Sequence, residues 1–542
     1  MNTQIANRNI FSDDPEIEYC SLVPHHERKK IGQFFTPFPI AEFMAEWIIG
    51  NKECKKILDP AVGLGIFFRA MISKGVEEDY NLIGYDIDDN ILKYAKDIFD
   101  RIPSARVNLQ KMDYLLNDWE NKYDGIICNP PYLKFHDYKN KKEILSTFES
   151  KLEMKLTGFT NMYTLFFLKS MNQLTNLGRA AYIVPSEFLN ADYGKNVKEY
   201  LIKGETLRFI IIVDFETNVF NESITTSSIL LFANDKYNTD VEFIKIRSLD
   251  ELNALRHYIM SYPVSRIRRA IVRSNQLDPK KKWRAYYCDM NGDKYKNLVP
   301  LITFGKVVRG IATGDNDYFC FSKSKVEQYN IPEKYLLPCL TKANYATKHF
   351  FTLDNFNSLK EKDKPVFLLN AVDLDDKNLV EYLKLGEKTE VNNKYLTSHR
   401  NPWYTIENRP PAPILVTVFS RGGVRFVRNE AKVYNLTSFH CIYPHPVLMF
   451  TEKIDLLMAY LLTDISQEIF NDEKREYGDG LDKFEPNDLN NAKVVNLDII
   501  NKEDEEKILR YYYTYRQKEI NDENITEVKN KLNEIFYEVL QK

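Results

Sequence analysis

Four consecutive residues combine hydrogen-bond acceptors with an aromatic ring: Asn129, Pro130, Pro131 and Tyr132. Two prolines in succession exclude both helix and sheet, because neither ring nitrogen can donate a hydrogen bond and both rings fix φ at about −65°. The backbone is therefore rigid here, and it presents the Asn129 amide, the Pro130 carbonyl and the Tyr132 ring in one place. Two oxygen acceptors beside an aromatic face suit a planar group that carries an amine.

Three aspartates, Asp59, Asp86 and Asp113, each follow a short apolar segment. We predict that each lies at the carboxyl end of a strand, the edge of an open α/β sheet at which ligands bind. The glycine turn at 60–65 would let the backbone approach a ligand closely. Asp86 comes roughly 20 residues after this turn, which is the spacing at which an acid reaches ribose hydroxyls. Asp113 could accept a hydrogen bond from an adenine amino group.

Thr36 and Pro37 precede apolar residues at helical spacing, which predicts a helix that begins at this point. Two interpretations remain open for the threonine. It either caps an ordinary helix, or its hydroxyl and the free N–H groups of the first turn receive a carboxylate that the helix dipole favours.

Strands and helices alternate over about 200 residues, which predicts an α/β fold with a doubly wound, Rossmann-like sheet. The predicted strands are 56–59, 81–86, 107–113, 123–128, 178–185, 207–213 and 228–232.

These motifs resemble the γ-class S-adenosylmethionine-dependent adenine-N6 DNA methyltransferases, in particular type II modification enzymes with a fused target-recognition domain. The resemblance covers roughly residues 31–235, with a second patch in the C-terminal half. It is carried, in this order, by Gly32–Pro37, Asp59–Phe67, Asp86, Asp113, Asn129–Tyr132 and Val219–Phe220.

The resemblance implies that S-adenosylmethionine is the cofactor and that no metal is required. Its implied cofactor-binding residues are Thr36, Pro37, Asp59, Pro60, Ala61, Gly63, Gly65, Asp86, Asp113 and Asn129. Its implied catalytic residues are Asn129, Pro130, Pro131, Tyr132 and Phe220. Asn129 Oδ1 and the Pro130 carbonyl would accept both hydrogens of the adenine amine. The base must leave the duplex to reach them, and Tyr132 and Phe220 would enclose it.

The composition excludes several other classes of protein. The chain has 542 residues and a formal net charge of −3, so any contact with a polyanion must use a local basic surface. Its seven cysteines are scattered, which disfavours a disulfide framework or a zinc site and fits a reducing compartment. The sequence shows neither a signal peptide nor a membrane-spanning stretch, and we expect the bacterial cytoplasm or nucleoid.

The second half predicts DNA contacts of a more diffuse kind. Residues 256–296 carry eleven lysines and arginines against three aspartates, either as a solvated helix face or as a phosphate-binding junction. The segments 304–319, 431–439 and 477–486 resemble specificity domains of this methyltransferase class. Alternate arginines at 421–428 would share one face if the segment were a strand. The predicted DNA-binding residues are Arg268, Arg269, Lys281, Arg309, Arg421 and Arg425.

We therefore predict a second, mixed α+β domain followed by C-terminal helices. The predicted segments are an arm (1–30), a catalytic domain (31–246), a basic junction (247–299), a target-recognition domain (300–500) and a helical tail (501–542). Double-stranded DNA is the expected partner of a monomer or weak dimer, and a cognate restriction endonuclease is a possible functional partner. Three alternatives stay open: a protein glutamine N5-methyltransferase, a modification subunit with a separate specificity subunit, and a catalytically silent DNA-binding module.

Overall fold

We describe a computed structural model of the chain. The described residues are 9–102, 105–133, 135, 138, 140–154, 156, 161–191, 193–215, 226–235, 237, 239–263, 270–446, 453–477 and 481–542. The chain forms two compact units, whose main parts are Met1–Asp289 and Met290–Glu476 with Gly480–Lys542.

The first unit is built on a nine-stranded sheet with the strand order β3-β2-β1-β4-β5-β7-β6-β8-β9. Its strands are β1 Lys56–Asp59, β2 Asn81–Asp86, β3 Val107–Lys111, β4 Tyr123–Cys128, β5 Leu174–Pro185, β6 Leu207–Val213, β7 Ser227–Ala233, β8 Val241–Ile246 and β9 Ala270–Val272. Strands β3, β2, β1, β4 and β5 are parallel, whereas β7 runs antiparallel to both β5 and β6. Because the chain moves outward in opposite directions from β1 and β4, a crevice opens at their carboxyl ends.

Helices cover both faces of this sheet. They are α1 Asp14–Leu22, α2 His25–Lys30, α3 Phe38–Ile49, α4 Ile66–Ser73, α5 Asp89–Phe99, α6 Lys141–Leu152, α7 Met162–Gln173, α8 Glu187–Asn190, α9 Gly194–Gly204 and α10 Leu249–Met260. Successive residues of one strand serve opposite cores: Ile127 packs with α3 and α4, whereas Ile126 and Cys128 pack with α7. Burial on both faces explains why these strands are apolar throughout rather than alternating.

The prediction of a doubly wound sheet is confirmed, with differences at its margins. Strand β3 ends at Lys111 rather than at Asp113, so this acid lies in the turn that follows the strand. Strands β8 and β9 and helix α6 extend the unit beyond the predicted elements. Residues 249–260 and 270–272, which we expected in a junction, form α10 and the edge strand of this sheet.

The second unit is a mixed α+β structure. Its strands are β10 Leu298–Pro300, β11 Gly305–Arg309, β12 Cys320–Phe321, β13 Leu336–Leu340, β14 Phe350–Phe351, β15 Phe367–Leu369, β16 Ile414–Thr417, β17 Phe419–Ser420, β18 Phe426–Asn429, β19 Tyr434–Asn435, β20 Phe439–Pro444, β21 Arg475–Tyr477, β22 Leu481–Lys483 and β23 Lys493–Val495. They form sheets in the orders β11-β20-β16-β18-β14, β12-β15-β13-β19, β17-β22-β21 and β10-β23.

Its helices are α11 Asn316–Phe319, α12 Lys323–Tyr329, α13 Leu353–Glu361, α14 Lys377–Lys388, α15 Lys453–Leu461, α16 Asp464–Asn471, α17 Pro486–Asn491, α18 Lys502–Ile520 and α19 Thr526–Gln541. The last two helices bury Tyr512, Tyr515, Leu532 and Phe536 in one core with α15 and α16. The predicted C-terminal helices are thus confirmed, and they belong to the core of the second unit. Within the described ranges, no helix has the length and apolar character needed to cross a membrane.

Candidate active site

A cavity of about 390 Å³ opens at the carboxyl ends of β1, β2 and β4. Its size lies within the range of small-molecule and cofactor sites, roughly 300–1,000 Å³. The sequence-predicted residues that line it are Thr36, Pro60, Ala61, Gly63, Asp86, Asp113, Asn129 and Pro131. Further lining residues include Glu16, Phe34, Phe35, Ile66, Phe67, Met112, Leu115, Tyr138 and Phe166.

The turn from β1 to α4 forms one wall of this cavity. Asp59 is fully buried behind the wall, where its Oδ1 accepts a hydrogen bond from the Ala61 N–H at 3.1 Å. Burial raises the pKa of this carboxyl well above its usual range. Gly63 and Gly65 both have positive φ, at +54° and +76°, which L side chains rarely adopt. The buried acid and the two glycines thus fix the shape of the turn.

Asp86 occupies the end of β2 and faces the cavity. Its Oδ2 accepts from the Gly63 N–H at 3.1 Å and its Oδ1 from the Asp88 N–H at 3.0 Å. Burial raises the pKa of this carboxyl, while those two backbone N–H groups oppose the shift. The carboxylate therefore joins the glycine turn to the neighbouring strand. Its oxygens still have lone pairs that can accept hydrogen bonds from the hydroxyl groups of a ligand.

Asp113 faces the cavity from the turn after β3, at the position of the adenine contact implied by the family resemblance. Its Oδ1 accepts from the Leu115 N–H at 3.0 Å, and its Oδ2 accepts from the Tyr138 hydroxyl. Tyr138 belongs to none of the motifs found in the sequence. Its hydroxyl fixes the carboxylate of Asp113 in one orientation.

The amide of Asn129 is oriented by two acceptors that come from a distant part of the sequence. Its Nδ2 donates to the Phe34 carbonyl at 2.8 Å and to Thr36 Oγ1 at 3.0 Å. A carbonyl can only accept, so the NH₂ group must face Phe34 and Oδ1 must face the other way. Asn129 Oδ1 is buried and has no hydrogen-bond partner among the described residues. The side chain therefore presents one unfilled acceptor at the edge of the cavity.

The start of helix α3 differs from the expectation that it offers free N–H groups. The Phe38 N–H donates to Asp13 Oδ1 at 2.6 Å, and Pro39 has no N–H. The N–H groups of Ile40 and Ala41 both donate to the Pro37 carbonyl. Thr36 is buried and does not cap the helix, and its hydroxyl accepts from Asn129 instead. Neither predicted interpretation, a threonine cap or a free first turn, describes this helix start.

Helix α4, in contrast, begins with no side-chain cap. Its N-cap residue is Gly65, and its first two residues, Ile66 and Phe67, line the cavity. A cap-free helix start attracts anions through its N–H groups and its dipole. Of these two helices, α4 is therefore the one whose uncapped first turn lines the cavity.

The ring of Tyr132 lies beside the cavity and outside its lining. Its hydroxyl donates to the Ile183 carbonyl at 3.3 Å, and its backbone N–H donates to the Gly32 carbonyl at 3.1 Å. The Phe34 ring stacks on it with 5.4 Å between centroids and 28° between planes. Burial raises the pKa of the Tyr132 hydroxyl, which therefore stays protonated. Phe34 thus links the cavity wall to this aromatic residue.

The remaining candidates occupy varied positions. Four candidates are not in the lining but are adjacent in sequence to residues that are: Pro37, Asp59, Gly65 and Pro130. Phe220, Arg268 and Arg269 lie outside the described residues. The side chain of Lys281 is exposed in the first unit. In the second unit Arg309 is exposed, 3.9 Å from Glu485, and Arg421 is exposed in the bend between β17 and β18. Arg425 is half-buried, with its Nη1 donating to the Thr347 carbonyl at 3.3 Å.

These positions correct the idea of an arginine-bearing strand at 421–428. Arg421 and Arg425 precede β18, and Arg428 alone of the three lies on it. Arg428 is held inside the unit, because its Nε donates to Asp455 Oδ1 at 3.0 Å and its Nη1 donates to the Pro413 carbonyl. The glycines Gly422 and Gly423 have φ of +102° and +108°, which bends the segment out of a strand conformation.

Each half of the chain matches a known protein family. Residues 17–278 match the family model described as N-6 DNA Methylase, and residues 290–533 match the C-terminal domain of the type II methyltransferase M.Eco57I. The type II methyltransferase M.AccI of Acinetobacter calcoaceticus is 50% identical over 98% of this chain and 97% of its own length. M.XamI of Xanthomonas campestris pv. amaranthicola is 22% identical over 87% of this chain and 86% of its own length.

Among solved structures, a nuclease-deletion mutant of the type ISP restriction-modification enzyme LlaGI, in complex with a DNA substrate mimic, shares the fold. Its TM-score is 0.51 at 15% identity, and the match covers 89% of this chain and 54% of that one. The matches favour none of the alternative functions. The resemblance seen in the motifs is confirmed: the chain belongs to the N-6 DNA methylase family and is a type II adenine-N6 DNA methyltransferase.

Proposed function

We propose that the chain transfers a methyl group from S-adenosylmethionine to N6 of an adenine that has been flipped out of double-stranded DNA. The observation that carries this proposal is the unfilled acceptor of Asn129. Its Oδ1 is buried without a partner, and its NH₂ group is held by Phe34 and Thr36, so the side chain is poised to accept from an amine. A buried acceptor without a hydrogen bond costs about 1–3 kcal/mol, and a hydrogen bond from a substrate N–H would recover this cost.

The lining of the cavity fits S-adenosylmethionine. Asp86 would accept from the ribose hydroxyls, and Asp113, fixed by Tyr138, would accept from the adenine amino group of the cofactor. Gly63 leaves room for the backbone to contact the ligand closely, since a Cβ built at this position meets nothing nearer than 3.8 Å. When bound, S-adenosylmethionine supplies an electrophilic methyl group on a sulfonium that is already a good leaving group.

Asn129 and Pro130 would position the target amine. The lone pair of adenine N6 is delocalised into the ring, which makes the nitrogen a poor nucleophile. Asn129 Oδ1 and the Pro130 carbonyl would accept its two hydrogens and favour a pyramidal nitrogen whose lone pair faces the methyl group. Fixing the reacting atoms in this arrangement supplies much of the rate enhancement.

The flipped base would stack on Tyr132, and Phe220 would form a second wall. The ring of Tyr132 is fixed at both ends, by its hydroxyl contact to Ile183 and by its backbone contact to Gly32. An aromatic ring that is already fixed in place suits a base that has left the DNA duplex. Stacking of a base on an aromatic side chain contributes about 1–3 kcal/mol.

The second unit would select the DNA sequence, as a target-recognition domain fused to the catalytic one. Arg309, Arg421 and Arg425 are its candidate contacts, and the basic stretch around Lys281 would contact phosphates together with Arg268 and Arg269. We expect the enzyme to act as a monomer or weak dimer in the bacterial cytoplasm. A cognate restriction endonuclease is a candidate functional partner, with no physical contact implied.

The proposal is tested with duplex DNA and S-adenosylmethionine that carries a labelled methyl group. The digested product should contain N6-methyladenine, and Asn129→Ala should lower the rate at least about 10³-fold, as loss of a transition-state contact and of positioning predicts. Binding of S-adenosylhomocysteine to the same variant, followed by calorimetry, should change by less than about 10-fold. Full activity of Asn129→Ala would remove the proposed role of the amide.

A further inference from the structure

A carboxylate that no motif singles out lines the cavity from the N-terminal helix. Glu16, in α1, is only 4% exposed, and its Oε1 pairs with the guanidinium of Arg69. Its Oε2 is buried and has no hydrogen-bond partner among the described residues. Glu16 is also one of the residues that line the cavity. One oxygen is therefore anchored to the protein and the other is left for a ligand.

Arg69 holds this carboxylate in a fixed place. It is fully buried in α4, and its Nη1 donates to the carbonyls of Ile10 and Ser12 at 2.6 and 2.9 Å. The segment that leads into α1 is thus tied to α4 at three points. Because both partners are buried, removing either charge would leave the other uncompensated. The pairing with Arg69 therefore holds the Glu16 carboxylate in one position.

The position of Glu16 is near the uncapped start of α4. Arg69 lies one turn after Ile66 on this helix, and side chains of a helix tilt toward its N-terminus. Glu16, paired with that guanidinium, therefore lies beside the first turn, whose residues Ile66 and Phe67 line the same cavity. The site thus places a helix start that suits an anion next to a carboxylate oxygen that suits a cation.

We propose that Glu16 binds the α-ammonium group of the amino-acid end of the cofactor, while the start of α4 receives its α-carboxylate. This inference rests on the proposed function, and it assigns to the N-terminal helix a part of the cofactor site. An α-amino acid carries both charges on one carbon, so the two protein groups must be neighbours. Asp86, Asp113 and Asn129 would serve the ribose, the adenine ring and the methyl end. The family resemblance assigns the amino-acid end to Thr36 and the Gly63–Gly65 turn, with Asp59 close by, and none of these residues brings a carboxylate into the cavity lining.

Asp59 is the other candidate acid for this role, because the family resemblance implies that it lies near the amino-acid end of the cofactor. Its Oδ2 is also buried and has no partner among the described residues. Asp59 does not line the cavity, however, and its Oδ1 is used to shape the turn through Ala61. The two carboxylates differ in that Glu16 is one of the residues that line the cavity and Asp59 is not.

Comparing the binding of two ligands distinguishes a specific contact between Glu16 and the ammonium group from a general effect of the substitution on the cavity. S-adenosylhomocysteine carries the amino-acid end, and 5′-deoxy-5′-methylthioadenosine lacks it. In calorimetry with the full-length protein, Glu16→Gln should weaken S-adenosylhomocysteine binding by about 10- to 100-fold, the value of a charged hydrogen bond. Binding of methylthioadenosine should stay within about twofold. The matched control Glu18→Gln, on the same helix, should leave both affinities unchanged.

Equal affinity of the wild type and Glu16→Gln for S-adenosylhomocysteine would overturn the inference, and so would an equal loss for both ligands. A measurement on the wild type alone covers the case in which Glu16→Gln does not fold. An S-adenosylhomocysteine analogue without the α-amino group should bind at least about 10-fold more weakly than the parent compound, and equal binding would contradict the role of Glu16. If the wild type bound neither nucleoside, the result would contradict the cofactor site itself and, with it, the proposed function.

Discussion

Most of the candidate cofactor-binding residues of the first unit line one cavity, whereas the candidate DNA-binding residues of the second unit have different surroundings from one another. In the cavity, Asp86, Asp113 and Asn129 are each oriented by a second protein group. In the second unit, Arg421 is exposed and Arg425 is half-buried against a backbone carbonyl. The proposed methyl transfer would need fixed atoms, and its three candidate residues are held by hydrogen bonds within the protein. Contacts to DNA phosphates tolerate mobile side chains and need no such bracing.

The largest effect that would test this contrast is expected at the glycine turn. Gly65→Ala would place a Cβ 2.4 Å from the Phe99 ring, at a φ of +76°. We expect a loss of about 2–5 kcal/mol in the free energy of unfolding of this unit, from the left-handed backbone and the overpacking together. Gly63→Ala shares the positive φ, but its Cβ would meet nothing nearer than 3.8 Å. Its loss should be about 1–2 kcal/mol. Urea denaturation measures both; equal losses would show that the approach to Phe99 does not constrain the turn.

Asp86→Asn is expected to have the next largest effect, now on cofactor affinity. The amide can still accept from the Gly63 N–H, but it loses the charge that strengthens hydrogen bonds to ribose hydroxyls. Affinity for S-adenosylhomocysteine should fall about 10- to 100-fold by calorimetry. Asp89→Asn is the matched control, because Asp89 is 54% exposed and pairs with Lys111 at the surface. An unchanged affinity for Asp86→Asn would contradict a ribose contact.

Tyr138→Phe should give a smaller loss of the same kind. The variant removes the hydroxyl that donates to Asp113 Oδ2 and leaves the packing of the ring in place. One hydrogen bond contributes about 0.5–1.5 kcal/mol, so cofactor affinity should fall about 2- to 10-fold. Tyr94→Phe, at a ring that lies outside this cavity, serves as the control. If Tyr138→Phe bound as tightly as the wild type, the orientation of Asp113 would not depend on Tyr138.

The smallest effect is expected in the second unit. Arg421→Ala should reduce the slope of log affinity for DNA against log salt concentration by about 0.9, the value for one phosphate contact, with little change in stability. Arg428→Ala should leave that slope unchanged, because its guanidinium is held by Asp455. Fluorescence anisotropy over a range of salt concentrations measures both slopes. A change for Arg428 and none for Arg421 would reverse our assignment of surface and interior arginines.

Much of the first unit could be predicted because its signals are local. Strands β1, β2, β4 and β6 have the bounds that their apolar runs predict, since burial on both faces makes most of their inner residues apolar. Strand β8 was missed because Glu242 and Lys245 interrupt its pattern. Glu242 is nevertheless fully buried, and it accepts from the Tyr258 hydroxyl at 2.6 Å. A tertiary contact supplied what the local sequence did not show.

The site residues that sequence reasoning missed reach the cavity from segments with no motif of their own. Tyr138 follows the Asn129–Tyr132 motif in an irregular segment, and Glu16 lies in a helix that we expected to be a polar arm. Neither position has a spacing that indicates its partner, because Arg69 and Asp113 are distant in sequence. The start of α3 was misjudged for the same reason, since the residue that occupies its first N–H is Asp13, which lies 25 residues earlier.

The hydrogen bonds from Asn129 to Phe34 and Thr36 have a thermodynamic consequence. They join the residue that would hold the target amine to a segment that lines the cofactor cavity. If a ligand in the cavity orders this segment, it also orders the Asn129 amide, and it lowers the cost of binding the base. Linkage then requires the base to tighten cofactor binding by the same factor. The two ligands would stabilise each other most strongly in the ternary complex, which is the state in which the methyl group moves.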